Sequence, residues 1–102
     1  MKKVVRHGKV AVLYSPGYGA GWSTWGGSPE MVFDPEIVEL VEQNRHDEIQ
    51  ALIEARGDKD FYCGGAKDLR IMWLTEGTAF RITEYDGNES VEVIGDIDYL
   101  TA

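Results

Sequence analysis

Apolar and polar positions fall into blocks along this chain, and each block has its own period. Residues 9–14, Lys-Val-Ala-Val-Leu-Tyr, form a β-branched apolar run closed by Ser15-Pro16-Gly17, which predicts a buried strand. From Ser15 to Pro29 neither helical nor two-residue spacing survives. Gly17, Gly19, Gly21, Gly26 and Gly27 predict a loop there. A helix starts at Asp34-Pro35-Glu36, where Asp34 suits the N-cap, Pro35 the first helical position and Glu36 the positive end of the dipole. Ile37, Val38 and Val41 line its apolar face, Phe33 is set to staple onto Val38, and the pattern fades near Asn44. A second helix follows, with capping-box spacing from Asp47 to Gln50, a stripe of Ile49, Leu52 and Ile53, and Gly57 as its stop.

The remainder reads as strands. Leu69 to Leu74 is one, and Ala79 to Tyr85 and Glu89 to Ile94 are two more, joined by Asp86-Gly87, a pair favoured in two-residue hairpin turns. That turn sets Ile82 opposite Val91 and Phe80 opposite Val93, with Arg81 against Glu92 and Thr83 against Ser90 on the other face. Glu84 against Glu89 is the one mismatch. The C-terminal Ile97-Asp98-Tyr99-Leu100 would add an edge strand or a docking tail. The expected fold is α+β: one domain over residues 1–102, with a small antiparallel sheet of about four strands and a two-helix insertion packed on one face.

Composition narrows the function. With 102 residues, 43% hydrophobic and 11% aromatic, the chain can bury one core. No apolar run approaches the roughly 18 residues of a membrane span. The basic start, Met1 to Lys9, has no long apolar stretch behind it, so neither a signal peptide nor a membrane partner is expected. Cys63 is the single cysteine, which fits a cytoplasmic location, and with His7 and His46 it is too little for a structural zinc site. A net charge of −8 argues against long nucleic acids as partners. Positive charge gathers at Lys2, Lys3, Arg6 and Lys9, while Glu84 to Ala102 carries six acids, among them Asp96 and Asp98, and no Lys or Arg. Those two ends are solvated, or pair within one chain or between subunits.

Candidate chemistry concentrates in Ser15-Pro16-Gly17-Tyr18-Gly19-Ala20-Gly21-Trp22-Ser23-Thr24-Trp25. Gly17, Gly19 and Gly21 can turn backbone N–H groups toward an anion, and Ser15, Ser23 and Thr24 add hydroxyls. Tyr18, Trp22 and Trp25 offer faces for a base or a sugar. Together they suit a ligand with both a phosphate and a ring. The plainer alternative is a surface loop that folds its tryptophans over the sheet. The third glycine of a dinucleotide fingerprint is replaced by Trp22, no Gly-Lys-Ser/Thr follows, and Trp25 breaks a nucleophile elbow. Gly64-Gly65 with Lys67 reads as a second small nest or as a tight turn. Arg70 and Arg81 would fork onto phosphate or stand solvated on strands, Arg81 with Glu92 as partner. Cys63 lacks any visible base, so no catalytic residue, metal or cofactor is expected.

The stretch Val10 to Gly21, Trp22-Ser23-Thr24-Trp25 and the ending Ile94 to Ala102 resemble small uncharacterised proteins of phages and prophages. Compact phage proteins with such loops include sponges that sequester cyclic-nucleotide immune signals, as in Thoeris and CBASS defence. The resemblance is one of size, loops and missing catalytic residues, with no residue matched to a sponge's binding motif. It implies a non-catalytic anti-defence protein, homo-oligomeric and cytoplasmic in the bacterial host, that holds a small phosphorylated or nucleotide-like ligand. The alternative is an acidic protein–protein inhibitor or decoy acting through the aromatic loop or the acidic C-terminus.

Overall fold

A strand that is apolar on both faces needs cover on both sides, and β2 (Lys9–Tyr14) is such a strand: Ala11, Val12 and Leu13 are all fully buried. The computed structural model describes residues 2–26, 29–57 and 64–94. In it β2 is the centre of an antiparallel sheet ordered β1-β2-β3, with β1 at Val5–Arg6 and β3 at Arg70–Thr75. The register sets Ala11 opposite Trp73 and Leu13 opposite Ile71, and those residues enter the main core. The neighbouring pairs Val10–Leu74 and Val12–Met72 point the other way.

Helices α2 (Pro35–Glu42) and α3 (Ile49–Ala55) cover the first face with Ile37, Val38, Ile49 and Ile53. The second face is covered by the hairpin β4 (Phe80–Tyr85) and β5 (Asn88–Val93), whose Phe80, Ile82 and Val91 pack with Val12, Val32 and Leu74. Each fully buried aliphatic side chain here contributes roughly 1.5–3 kcal/mol. The α+β class and the antiparallel pairing agree with the sequence. In place of one sheet of about four strands there is a three-stranded and a two-stranded sheet. The reason is the apolar second face of β2 and β3, which the hairpin buries by stacking on it.

The β4–β5 register is the expected one, from Phe80 opposite Val93 through Glu84 opposite Glu89. Its turn has φ 52° at Asp86 and 84° at Gly87, both positive, as a type I′ turn demands. Strand β1 was not foreseen. It forms because His7 and Gly8, at φ 52° and 76°, make a second two-residue turn that pairs Val5 with Val10. Nor was α1 (Trp22–Gly26), a helix inside the glycine loop.

Asp34 caps α2 as expected, accepting from Glu36 N–H and Ile37 N–H at 3.1 and 3.2 Å. Arg56, at the end of α3, forks onto the same carboxylate and tethers the two helices. Hydrogen bonding to Asp34 raises the Arg56 pKa above its ordinary value, against the opposing effect of burial. Two departures are local. Asp47 caps nothing, because it lies inside a 3-10 turn (His46–Glu48) that leads into α3. Arg45 closes that turn on Glu48, and their hydrogen bond lowers the Glu48 pKa and raises that of Arg45. Phe33 meets Phe80 edge-on at 6.0 Å in the second cluster, while Val38 belongs to the main core.

Cys63, Gly27, Asp96, Asp98 and the expected terminal strand Ile97–Leu100 lie outside the described residues. No helix among the described residues is long and apolar enough to cross a membrane.

Removing Arg56 leaves a carboxylate that is 2% exposed without its counter-charge. Arg56→Ala is expected to lose about 2 kcal/mol in urea unfolding, and Arg56→Lys to recover only part of it.

Candidate functional site

The geometry of the glycine–aromatic loop is organised by one side chain from the other end of the chain. Period-two alternation along β5 puts Glu89 on the same face as Val91, toward the interior, and Glu89 is 1% exposed. Its carboxylate accepts five hydrogen bonds. Ser15 N–H and Oγ–H donate to Oε1 at 3.0 and 3.1 Å, while Ser23 N–H, Thr24 N–H and Thr24 Oγ–H donate to Oε2 at 3.0, 2.9 and 2.7 Å. Ser15 Oγ in turn accepts from Trp22 N–H at 3.0 Å. The first N–H groups of α1 are therefore satisfied by Ser15 and Glu89. Without those acceptors the helix would expose unpaired donors in a buried site.

The loop glycines are engaged in the same way. Gly17 N–H donates to Asn88 Oδ1 at 2.7 Å, Gly19 N–H to the Asp86 carbonyl at 2.6 Å and Gly21 N–H to the Gly87 carbonyl at 2.7 Å. Ser15 and Glu89 add a backbone bond at 3.0 Å from Glu89 N–H to Ser15 O. The loop thus lies along the β4–β5 turn almost as an added strand. Gly87 is required twice over: for its positive φ, and because a Cβ there would stand 2.9 Å from Gly19 N and from the Trp25 ring.

These contacts redistribute the expected ligand-binding residues. Ser15, Ser23 and Thr24 do supply donors to an anion, but the anion is Glu89 of the same chain. Gly17, Gly19 and Gly21 donate to the hairpin. Trp22, expected to stack on a ligand, is fully buried in the main core, and that expectation is corrected: no face of it reaches solvent. Tyr18 and Trp25 do reach solvent, at 71% and 45% exposure. Arg81 pairs with Glu92 at 2.6 Å, the partner read from the sequence. Gly65 begins the 3-10 turn Ala66–Asp68, and its α-carbon packs so closely on Ser15 that a Cβ would sit 2.7 Å from that of Ser15.

Two open grooves border these loop residues. One, of about 460 Å³, is lined by Pro16 and Gly17, by His46, and by Lys67, Asp68, Leu69 and Arg70. It brings together Gly17, Lys67 and Arg70, which the sequence singled out in separate segments. Lys67 and Arg70 are exposed, and no ion pair to either occurs among the described residues. His46 Nε2 lies 2.9 Å from the Leu69 carbonyl, which can only accept, so Nε2 is the donor of that hydrogen bond. The other groove, of about 660 Å³, runs between Val32 and Phe33 on one wall and Phe80 and Ile82 on the other, with Ser23, Thr24, Glu30 and Arg81 around them.

Sequence reasoning missed Glu89, Asn88 and His46. For Glu89 a signal was present: alternation from Val91 puts an acid on the core face, opposite another acid. His46 has no such signal, since only the tertiary fold carries the 3-10 turn His46–Glu48 beside Leu69.

No family model, curated protein or solved structure matches this chain. Among the described residues no group of three or more His, Cys, Asp or Glu is arranged to hold a metal ion.

In Glu89→Gln either orientation of the amide turns an NH₂ toward a backbone N–H, at Ser15 or at Ser23 and Thr24. The variant is expected to lose about 3 kcal/mol, a fall in Tm on the order of 15 °C in a calorimetric scan. A Glu89→Gln protein melting with the parent would remove the carboxylate from its organising role.

Proposed function

We propose that this protein captures a small phosphorylated, nucleotide-like ligand without transforming it, and that the phosphate sits in the groove between Gly17 and Arg70. The observation that carries this reading is the meeting of Lys67, Arg70 and His46 around one concavity in a chain of net charge −8. An Arg fork and a Lys point charge are the usual donors to phosphate oxygens.

Asp68 lines the same groove. A carboxylate there disfavours a bare polyanion and favours a ligand that also offers a hydroxyl donor, as a ribose does. This reading moves the phosphate away from the glycine N–H groups, whose hydrogen bonds are already made, and keeps Gly17, Lys67 and Arg70 in the site.

Titration calorimetry with a nucleoside diphosphate, a cyclic dinucleotide and inorganic pyrophosphate tests it. The nucleotides are expected to bind more tightly than pyrophosphate, with affinity falling as salt rises. The double variant Lys67→Ala, Arg70→Ala should weaken binding by about a hundredfold, since each charge-assisted contact is worth roughly a factor of ten or more. Both side chains are exposed, so the fold should survive their loss. Unchanged affinity in that variant would remove the groove as the site.

A further inference from the structure

We infer that the tip of the β4–β5 hairpin, with the loop bound to it, is a second and independent recognition surface, and that it takes a basic segment of a partner protein. Three large aromatic side chains stand out around one turn: Tyr85 at 76% exposure, Tyr18 at 71% and Trp25 at 45%. Tyr18 and Tyr85 meet edge to face with their centroids 6.2 Å apart. The Trp25 ring lies against Gly21 and Gly87, so closely that a Cβ on either would stand within 3 Å of it. None of the three belongs to either buried cluster of the described residues.

The patch is held ready-made. Gly19 and Gly21 bind the turn carbonyls, and Ser23 and Thr24, immediately before Trp25, are fixed on Glu89. Surfaces of Tyr and Trp that are ordered before binding lose little conformational entropy on association, which is why such residues dominate binding hot spots.

Charge selects the partner. Glu84 and Asp86 flank Tyr85 and are exposed, and Glu84 additionally holds the turn by accepting from Gly87 N–H at 2.8 Å. Lys67 and Arg70 belong to the groove wall beside His46, and neither the turn nor Trp25 contributes to that groove. Aromatic faces edged by carboxylates suit Arg and Lys side chains, which gain from the ring quadrupole and from the acids together. The chain's net charge of −8 attracts such a segment from a distance and opposes the approach of a second copy.

The test is a pair of fluorescein-labelled twelve-residue peptides of matched apolar content, one with four Arg and one with four Glu, followed by anisotropy and by amide and indole NMR shifts at 50 mM salt. The Arg peptide is expected to bind and to move the resonances of Tyr18, Gly19, Trp25, Tyr85 and Asp86, and the Glu peptide to leave them in place. Tyr85→Ala should weaken Arg-peptide binding at least fivefold, and Asp86→Asn, which removes the charge but keeps a side chain suited to the turn's positive φ, about threefold, both with the melting curve intact. The nucleotide titrations of the Lys67/Arg70 groove should be unaffected by Tyr85→Ala, which separates this surface from the groove. Shifts spread over all acidic residues, equal affinity in Tyr85→Ala, or no binding of the Arg peptide would each overturn the inference. Concentration-dependent sedimentation of the protein alone, lost in Tyr85→Ala, would assign the surface to a second copy and overturn it as well.

Discussion

Burying a carboxylate away from water is costly by several kcal/mol unless its oxygens are fully met by donors, and the fold around residues 15–25 is the arrangement that meets those of Glu89. Five donors from three residues converge on it, three of them backbone N–H groups. Two of those N–H groups belong to the first turn of α1, so the positive end of a short helix also faces the negative charge. The interaction fixes the loop to the hairpin, the hairpin to the second face of the sheet, and Trp22 in the core beneath. Replacing Glu89 by an apolar residue would leave the same N–H groups buried with no acceptor.

The parts of the fold encoded locally were legible in the sequence. The Asp86-Gly87 turn fixed a register that the structure reproduces pair by pair, because period-two alternation and turn chemistry both act within a few residues. Asp34-Pro35 started α2 for the same reason. The α1 helix was illegible because its cap comes from Ser15 and from Glu89, 65 and 66 residues beyond Thr24 and Ser23, and no local propensity reports such a partner. The division into two sheets lay beyond the strand pattern as well. An apolar run such as Val10-Ala11-Val12-Leu13 says that both faces are covered, not whether a helix or a hairpin does the covering.

The candidate site was half legible. Ser15, Ser23 and Thr24 do turn donors toward an anion, which the structure supplies from within as Glu89, while the glycine N–H groups expected to join them bind the hairpin instead. What the sequence could not show is that Lys67, Arg70 and His46 come together beside Gly17, since strand pairing of Tyr14 with Arg70 and the bond from His46 to Leu69 are both needed to assemble that groove. Loop residues that had one expected role now divide among three: Trp22 and Ser15 in the interior, Gly17 at a polar groove, Tyr18 and Trp25 at an aromatic tip. A loop fastened at so many points presents its exposed side chains in one arrangement.

The long reach from Ser15 to Glu89 also bears on how the chain comes to be folded. Closing a loop of 74 residues is entropically unfavourable, though the cost rises only slowly with length, and contacts of that separation are made late. During synthesis the first quarter of the chain leaves the ribosome with its serine, threonine and glycine donors still facing water. Only after β5 has been translated does the acceptor that orders them exist, so the loop cannot take its final shape before then.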